Sequence, residues 1–505
     1  PCWLQLWAQE PQTRLTNKNH LPRPRSPPRM FTSALRLSRA ACAGVAILGL
    51  GLLASGGLLQ VHSAAAKDQV LLQTKQQATP ATPQSLGGQA ETSGPGEVHC
   101  VFTTDCRPFN LWQAELLFFS ALQVGQPGPI TQIVSGCSEE KVREVSQRHQ
   151  KLEWPNRFKQ HFVERFNDKK SIWLSKPYGV KSWYRSAGPE RDVVAVLDPD
   201  FVFMRPLTPE LDGRGTAIAW PGGDAPQRVK PGVVVAQRYS LVYPDDRQTG
   251  PWQLRLTAKG MDNAALLTYV CSGSATGTSG CTNVTKHEMG FYQSTGVPYI
   301  AHRDDWDWLV DDWADITVRL HEHSHRGFLV DMWSWILANV HRKQKQLVLH
   351  NFMISDVEPP QYNYEAWSVV DARADDACDA PSIEAFLGNQ MKAAGLPHFI
   401  HYCVPSESFN KYWFDWGADS GPNAFERCDE GGSSSGLKNI MTQVPVRTQQ
   451  ELSELKRVKT MEGQHRSRFM GCAMRSLFKS ALRRSCEGRP SAAFVSQGAT
   501  GDSKM

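Results

Sequence analysis

Asp198-Pro199-Asp200 sets two carboxylates one residue apart, directly after the apolar, β-branched run Val193-Val194-Ala195-Val196-Leu197. Such a run reads as a buried strand, so the pair falls at a strand's C-terminal end, where open α/β sheets bind ligands. Two hard oxygen donors can hold Mg²⁺ or Mn²⁺, and the open positions of that ion suit the diphosphate of a nucleotide-activated donor. On this reading Asp200 ligates the cation that bridges the two phosphates. Asp198 then faces the donor's ribose or the ion's water shell. Asp-x-Asp also closes ordinary solvated turns, so other residues have to carry the chemistry with it.

His401 follows the apolar Phe399-Ile400 and can return a third ligand from the C-terminal part of the fold. Its structural alternative is a hydrogen-bonding histidine at a strand end. Asp331, in the apolar stretch 328–340, is a candidate to orient an acceptor hydroxyl or to stabilise positive charge on a sugar ring. A helix-capping or ion-paired carboxylate is the alternative there. Lys176 and Arg205 can neutralise phosphate or stand as solvated cations. A different chemistry is written in His321-Glu322-His323-Ser324-His325, which matches the His-Glu-x-x-His of zinc proteases. Gly327 interrupts that helix, and Phe328 and Asp331 stand where the longer metzincin pattern needs Gly and a third His. A His-rich turn at a helix end is the plainer reading.

The elements that must position these groups alternate. Residues 98–104 and 130–135 read as strands, 111–124 as a helix between them, and 181–186 as the close of a helix before the Asp198 strand. That order predicts βαβ units and a mainly parallel sheet. Leu309, Trp313, Ile316 and Leu320 repeat at helical spacing, which predicts an amphipathic helix. Residues 328–340, apolar on most faces, predict a buried helix near the site.

The ends of the 505-residue chain differ from its middle. Residues 1–39 carry +6 and residues 431–505 carry +8, so with +5 overall the middle carries −9. A nucleic-acid-binding body is disfavoured, because phosphate contacts need clustered Lys/Arg on the folded face. Residues 40–66 hold no charge, and 40–62 are long enough to span roughly 30 Å of hydrocarbon. Five arginines between Arg23 and Arg39 precede that stretch, which leaves the N-terminus cytosolic and the rest lumenal. The first 39 residues then read as a cytosolic basic tail, with Met30 a natural initiator. A cleaved signal peptide ending near Ala64-Ala65-Ala66 is the competing reading, and both send the body into the secretory pathway. Residues 63–97 read as a flexible stem, residues 98–430 as the body, and residues 431–505 as a largely disordered basic tail with some helix around 447–485. Twelve cysteines without a Cys-x-x-Cys pair in the body point to disulfides, Cys271 with Cys281 being plausible partners. Asn283-Val284-Thr285 is an N-glycosylation acceptor.

In order along residues 98–430 come Asp105, Trp112-Gln113, Gln126-Pro127-Gly128-Pro129-Ile130-Thr131-Gln132-Ile133, Lys176-Pro177, the Asp198 block with Pro206-Leu207, and Gly296-Val297-Pro298. His302, Trp313, Asp331-Met332-Trp333-Ser334-Trp335 and His401-Tyr402 follow. This series resembles the hydroxyproline O-arabinosyltransferase and peptidyl serine α-galactosyltransferase group of plants and green algae. The chain departs from the group at Asp331, where a Glu is usual, and after Tyr402, where it matches neither branch. The resemblance implies a GT-A-like nucleotide-sugar fold and Mn²⁺ or Mg²⁺. It implies a UDP-linked donor of arabinose or galactose and a hydroxyproline or serine acceptor on a protein or peptide. A single-pass type II protein of the Golgi or ER, with its catalytic body lumenal, fits both the anchor and the resemblance. A membrane-anchored glycan-binding protein that has lost transfer is the non-enzymatic alternative. If the transferase reading holds, Asp200→Asn abolishes metal-dependent transfer and leaves folding intact, whereas His321→Ala changes little.

Overall fold

Strands whose side chains are apolar on both faces can only sit in the middle of a layered α/β body, and the chain folds accordingly. In the computed structural model the described residues are 96–166, 174–211, 225–239, 241, 263–272, 281, 284–323, 329–350, 352–358, 365–371, 397–403, 409–411, 424–426 and 460–487. The anchor at 40–62, almost all of the stem, Asn283 and His325 lie outside them. No helix among the described residues is long and apolar enough to cross a membrane.

The chain runs β1 (Val98–Asp105), α1 (Pro108–Gln123), β2 (Ile130–Ser135), α2 (Glu139–Lys151), β3 (Phe158–Val163), α3 (Ser175–Ser186), β4 (Val193–Leu197) and β5 (Phe201–Phe203). There follow β6 (Val234–Arg238), α4 (Asn263–Cys271), the single turn α5 (Lys286–Glu288), β7 (Thr295–His302), α6 (Arg303–His323) and α7 (Val330–His341). The last elements are β8 (Gln346–Leu349), β9 (Met353–Ile354), α8 (Trp367–Val370), β10 (Phe399–His401) and α9 (Met461–Glu487). Seven strands form the central sheet in the order β3-β2-β1-β4-β7-β6-β8. It is mostly parallel. β7 alone runs against its neighbours β4 and β6.

The strand of 130–135 has the bounds read from the sequence, and the β4 run ends at Leu197 as its apolar pattern required. Both expected helices near the site are present. Leu309, Trp313, Ile316 and Leu320 of α6 are all buried, and α7 buries Trp335, Ile336, Leu337 and Ala338. Trp306, Trp313 and Trp335 pack around Tyr299 of β7, whose ring stacks on Trp335 at 4.1 Å. α3 lies close on the sheet at Gly179, where a Cβ would stand 3.2 Å from Ile133 Cγ2.

Two features go beyond the sequence reading. A second, three-stranded sheet has the order β5-β10-β9. The basic tail contains α9, overlapping the helix expected around 447–485, and the new feature is its packing on α1 and on residues 424–426 with Phe469, Met470, Ala473, Met474, Leu477 and Phe478 buried. Phe478 meets Trp112 at 5.7 Å and Phe425 at 4.6 Å. The boundary drawn at residue 430 therefore does not end the packed body. Its cause is the apolar stripe of α9, which the arginines around it conceal in composition. Cys106 is bonded to Cys137 and Cys271 to Cys281.

Candidate active site

The Asp198 turn joins the two sheets. β4 ends at Leu197 in the large sheet, and β5 begins at Phe201 in the small one. β10 pairs antiparallel with β5 in a register that sets His401 opposite Phe201. The Tyr402 amide then donates to the Asp200 carbonyl at 3.1 Å, which fixes the two segments to each other. His401, 201 positions after Asp200, is thereby brought to the carboxylate pair.

The carboxylates divide their oxygens between two kinds of partner. Lys411 Nζ lies 2.5 Å from Asp200 Oδ2, and Lys176 Nζ pairs with Asp198 Oδ1. The other two oxygens face the imidazole: His401 Nε2 lies 3.2 Å from Asp200 Oδ1 and 3.7 Å from Asp198 Oδ2. Neighbouring ligand atoms on an octahedral ion with bonds of about 2.1 Å stand roughly 3 Å apart. Asp198, Asp200 and His401 offer donor atoms all within 4.8 Å of one another, so their chemistry and spacing fit a hard divalent cation.

Lys176 extends the network to a third carboxylate. It comes from the first turn of α3 and lies 3.0 Å from Asp331 Oδ2 as well as on Asp198. Asp331 stands in the first turn of α7, behind Leu329 at φ 67°. A leucine in the left-handed region costs about 1–2 kcal/mol, and here that conformation opens the helix carrying Asp331. Trp313 Nε1 and Ser334 Oγ donate to the Asp331 carbonyl at 2.7 and 3.0 Å, which locks the turn.

Burial and charge compete at every member. Burial works to raise the Asp200 pKa, but the Lys411 ammonium and His401 overcome it and hold the carboxyl well below the usual carboxylate range. Burial works against the Lys176 charge, and Asp198 and Asp331 override it and hold the ammonium above the usual lysine range. Three carboxylates against two ammonium groups leave one negative charge at this site when His401 is neutral. A bound cation reverses that sign, which suits a diphosphate. Tyr299 and Tyr402 line the same region. Burial raises both phenols far above the usual range, helped by Asp331 and Asp198 for Tyr299 and by Asp200 for Tyr402.

Of the residues singled out in the sequence, Asp198, Asp200, His401, Lys176 and Asp331 meet in one network. Arg205 is held elsewhere. It follows β5, and its Nη2 lies 2.8 Å from Nε2 of His398, whose Nδ1 lies 2.9 Å from the Pro206 carbonyl. Arg205 thus braces the far end of the small sheet instead of approaching the carboxylates. Lys411 was missed. A lone lysine in a stretch without clear periodicity gives no signal beside the many solvated ones. His321 and Glu322 sit in the last turn of α6, where Glu322 is exposed and accepts the Tyr269 hydroxyl at 3.1 Å. Asp105 anchors the start of α1 by accepting from the Arg107 amide and the Asn110 side chain.

No family model matches the chain. Over 124 residues it is 32% identical to the peptidyl serine alpha-galactosyltransferase of Chlamydomonas reinhardtii, a stretch that covers 24% of this chain and 16% of that protein. The Arabidopsis thaliana protein of the same name is 27% identical over 129 residues, or 25% of this chain and 15% of that one. The matched stretches thus span about a sixth of the length of these curated relatives. Over a quarter of its own length, the chain is similar to two proteins named as glycosyltransferases.

Proposed function

We propose that the chain is a metal-dependent glycosyltransferase that moves arabinose or galactose from a nucleotide-sugar donor, UDP-linked, to the hydroxyl of hydroxyproline or serine in a secretory-pathway protein. The observation that carries this reading is the convergence of Asp198, Asp200 and His401 at the C-terminal end of a parallel strand, with donor atoms within 4.8 Å of one another. The partial similarity to two proteins named as galactosyltransferases supports the reaction class. Residues 40–62 would anchor the chain in a Golgi or ER membrane with the body in the lumen.

Asp198 Oδ2, Asp200 Oδ1 and His401 Nε2 would hold Mn²⁺ or Mg²⁺, which when bound stabilises charge on the departing diphosphate. Lys411 and Lys176 fix the opposite oxygens, so that each carboxylate presents one oxygen in a set direction. With donor bound, their ammonium groups would add to the neutralisation of its phosphate charge. Lys176 holds Asp331 by Oδ2, which leaves Oδ1 to accept from the acceptor hydroxyl and to face positive charge developing on the sugar.

The test is nucleotide release by the full chain against a panel of nucleotide sugars, with hydroxyproline-rich and serine-rich peptides, in Mn²⁺ or in chelator. Mn²⁺-dependent turnover of one donor, absent in a folded Asp200 variant, is the expected result. Inertness toward every donor and peptide would replace the transferase by a glycan-binding protein.

A further inference from the structure

Apart from the Asp198 group, one other set of metal-capable donors converges among the described residues. Sγ of Cys271, Sγ of Cys281 and a ring nitrogen of His341 lie within 4.8 Å of one another. Cys271 closes α4 and His341 closes α7, so the ends of two helices and the loop residue Cys281 meet there. The site is sealed, with 1%, 1% and 4% of the three residues exposed. The two sulfurs are bonded to each other. Neither ring nitrogen of His341 has a hydrogen-bond partner among the described residues.

That last fact is costly. A buried polar group left unbonded forfeits its hydration, and an apolar side chain of the same shape would avoid that cost. Orphaned buried groups in native folds call for an explanation, an ion or a redox role among them. Burial lowers the His341 pKa despite Asp312, aided by Arg342 and Arg319, which keeps the imidazole neutral and a lone pair available.

We propose that Cys271, Cys281 and His341 form a zinc site gated by the disulfide. In the bonded state the sulfurs have no charge to offer, and the site is shut. A dithiol reductant opens it: one of its thiolates attacks a sulfur to give a mixed disulfide, and its second thiol displaces the other cysteine. The reductant leaves as a cyclic disulfide, carrying the two-electron oxidation, and Cys271 and Cys281 are left as thiols. Binding of Zn²⁺ then releases two protons. The two thiolates cancel the ion's charge and His341 supplies the third bond, so a neutral complex occupies a buried site without further counter-ions. Ligand atoms around zinc, with bonds of about 2.3 Å to sulfur and 2.0 Å to nitrogen, stand roughly 3.5–3.8 Å apart. The ring nitrogen already stands within 4.8 Å of both sulfurs, the sulfurs part when the disulfide is reduced, and a water takes the fourth position.

The test does not depend on the transferase reading. The full chain is reduced with dithiothreitol, freed of reductant under nitrogen, and titrated with Zn²⁺ against a chromogenic chelator, with the oxidised chain as reference. Reduction should add one tight Zn²⁺ site. The gain should vanish in Cys271→Ser/Cys281→Ser and weaken at least tenfold in both His341→Ala and His341→Gln, since loss of one ligand is felt at least as strongly as loss of a group behind it. Co²⁺ in place of Zn²⁺ should give the thiolate-to-metal absorption of a two-sulfur site in wild type alone. Circular dichroism follows the fold at each step, and a reduced chain that loosens without metal and recovers with Zn²⁺ also supports the site. Overturning results are no gain on reduction, a gain that persists undiminished in the double serine variant, or a reduced chain that Zn²⁺ fails to restore.

Discussion

At the scale of single residues, the Asp200–Lys411 pair separates stability from activity. Both side chains are buried, with 5% and 4% of the residues exposed, so removing either charge takes a close counter-charge from the other. Breaking such a pair costs about 3–5 kcal/mol, whereas replacing both members by neutral groups is often close to neutral. Asp200→Asn is therefore expected to lose both metal-dependent transfer and several kcal/mol of stability, which corrects the expectation of intact folding drawn from sequence. Asp200→Asn/Lys411→Met should regain most of the stability and none of the activity. Thermal unfolding beside nucleotide release checks this, and recovery of both together would remove Asp200 from the metal site. Asp331→Asn keeps the shape and the Trp313 and Ser334 contacts, which go to the backbone carbonyl. It should lower kcat by about 10²-fold or more with little change in the KM for donor, because the role proposed for it falls on the reacting hydroxyl and sugar. An unchanged kcat would leave Asp331 as an ion-pair partner of Lys176. His321→Ala should change donor turnover less than twofold, its place being the last turn of α6.

Among the elements, α9 and the small sheet decide how the site is framed. Trp112, Phe425 and Phe478 pack on one another across α1, residues 424–426 and α9. Phe478→Ala should cost about 3–5 kcal/mol in urea unfolding, and a chain ended at residue 430 should aggregate, because it bares Trp112 and its neighbours. A soluble, active chain lacking α9 would contradict this packing. The same elements show where sequence reading stops. β1, β2, β4, α6 and α7 were legible because each carries a run of apolar residues at one period, long enough to outweigh chance. β5, β9 and β10 are two or three residues long, too short for any period, and the pairing of β5 with β10 joins residues about 200 apart. Hence His401 could be suspected as a ligand, while Lys411 could not. The helix of α9 has its apolar residues at helical spacing, yet averaging them with Arg466, Arg468, Arg475 and Arg483 gave a basic tail. Arg466 binds Asp371 at 2.6 Å and Arg484 lies 4.8 Å over the Trp154 ring, so part of that charge is spent on the body.

For the molecule as a whole, buried neutral histidines set the acid limit of the fold. His99 lies in β1 with no exposure; its Nδ1 accepts the Glu190 amide at 3.1 Å, and the Nε2 proton is directed to Thr131 Oγ1 at 2.9 Å. That tautomer is the neutral one. Burial pushes the His99 pKa down to about 4 against the pull of Glu190, with Lys159 and Arg191 adding to the fall, and burial with Arg238 does the same to His350. The unfolded imidazole takes a proton near pH 6.5 and the folded one only near 4. Between those values, protonation favours the unfolded chain. Stability is thus complete above pH 6.5 and falls as the pH drops toward 4, with a His99 share of about 3 kcal/mol at about 1.4 kcal/mol per pKa unit. Asp200 adds a second loss with the same sign. Its carboxyl is depressed in the fold, so its contribution is present above the unfolded value near 3.9 and fades only below it. His99→Gln keeps groups able to donate and accept but cannot titrate. Urea unfolding at pH 7, 5.5 and 4.5 should show the variant less stable than wild type at pH 7 and losing about 2–3 kcal/mol less on the way down. Parallel losses in the two proteins would mean that His99 takes up its proton alike in the folded and unfolded chains. The Nδ1 contact to the Glu190 amide would then have to be broken in solution, and the edge between β1 and the β4 loop would be looser than the sheet register implies.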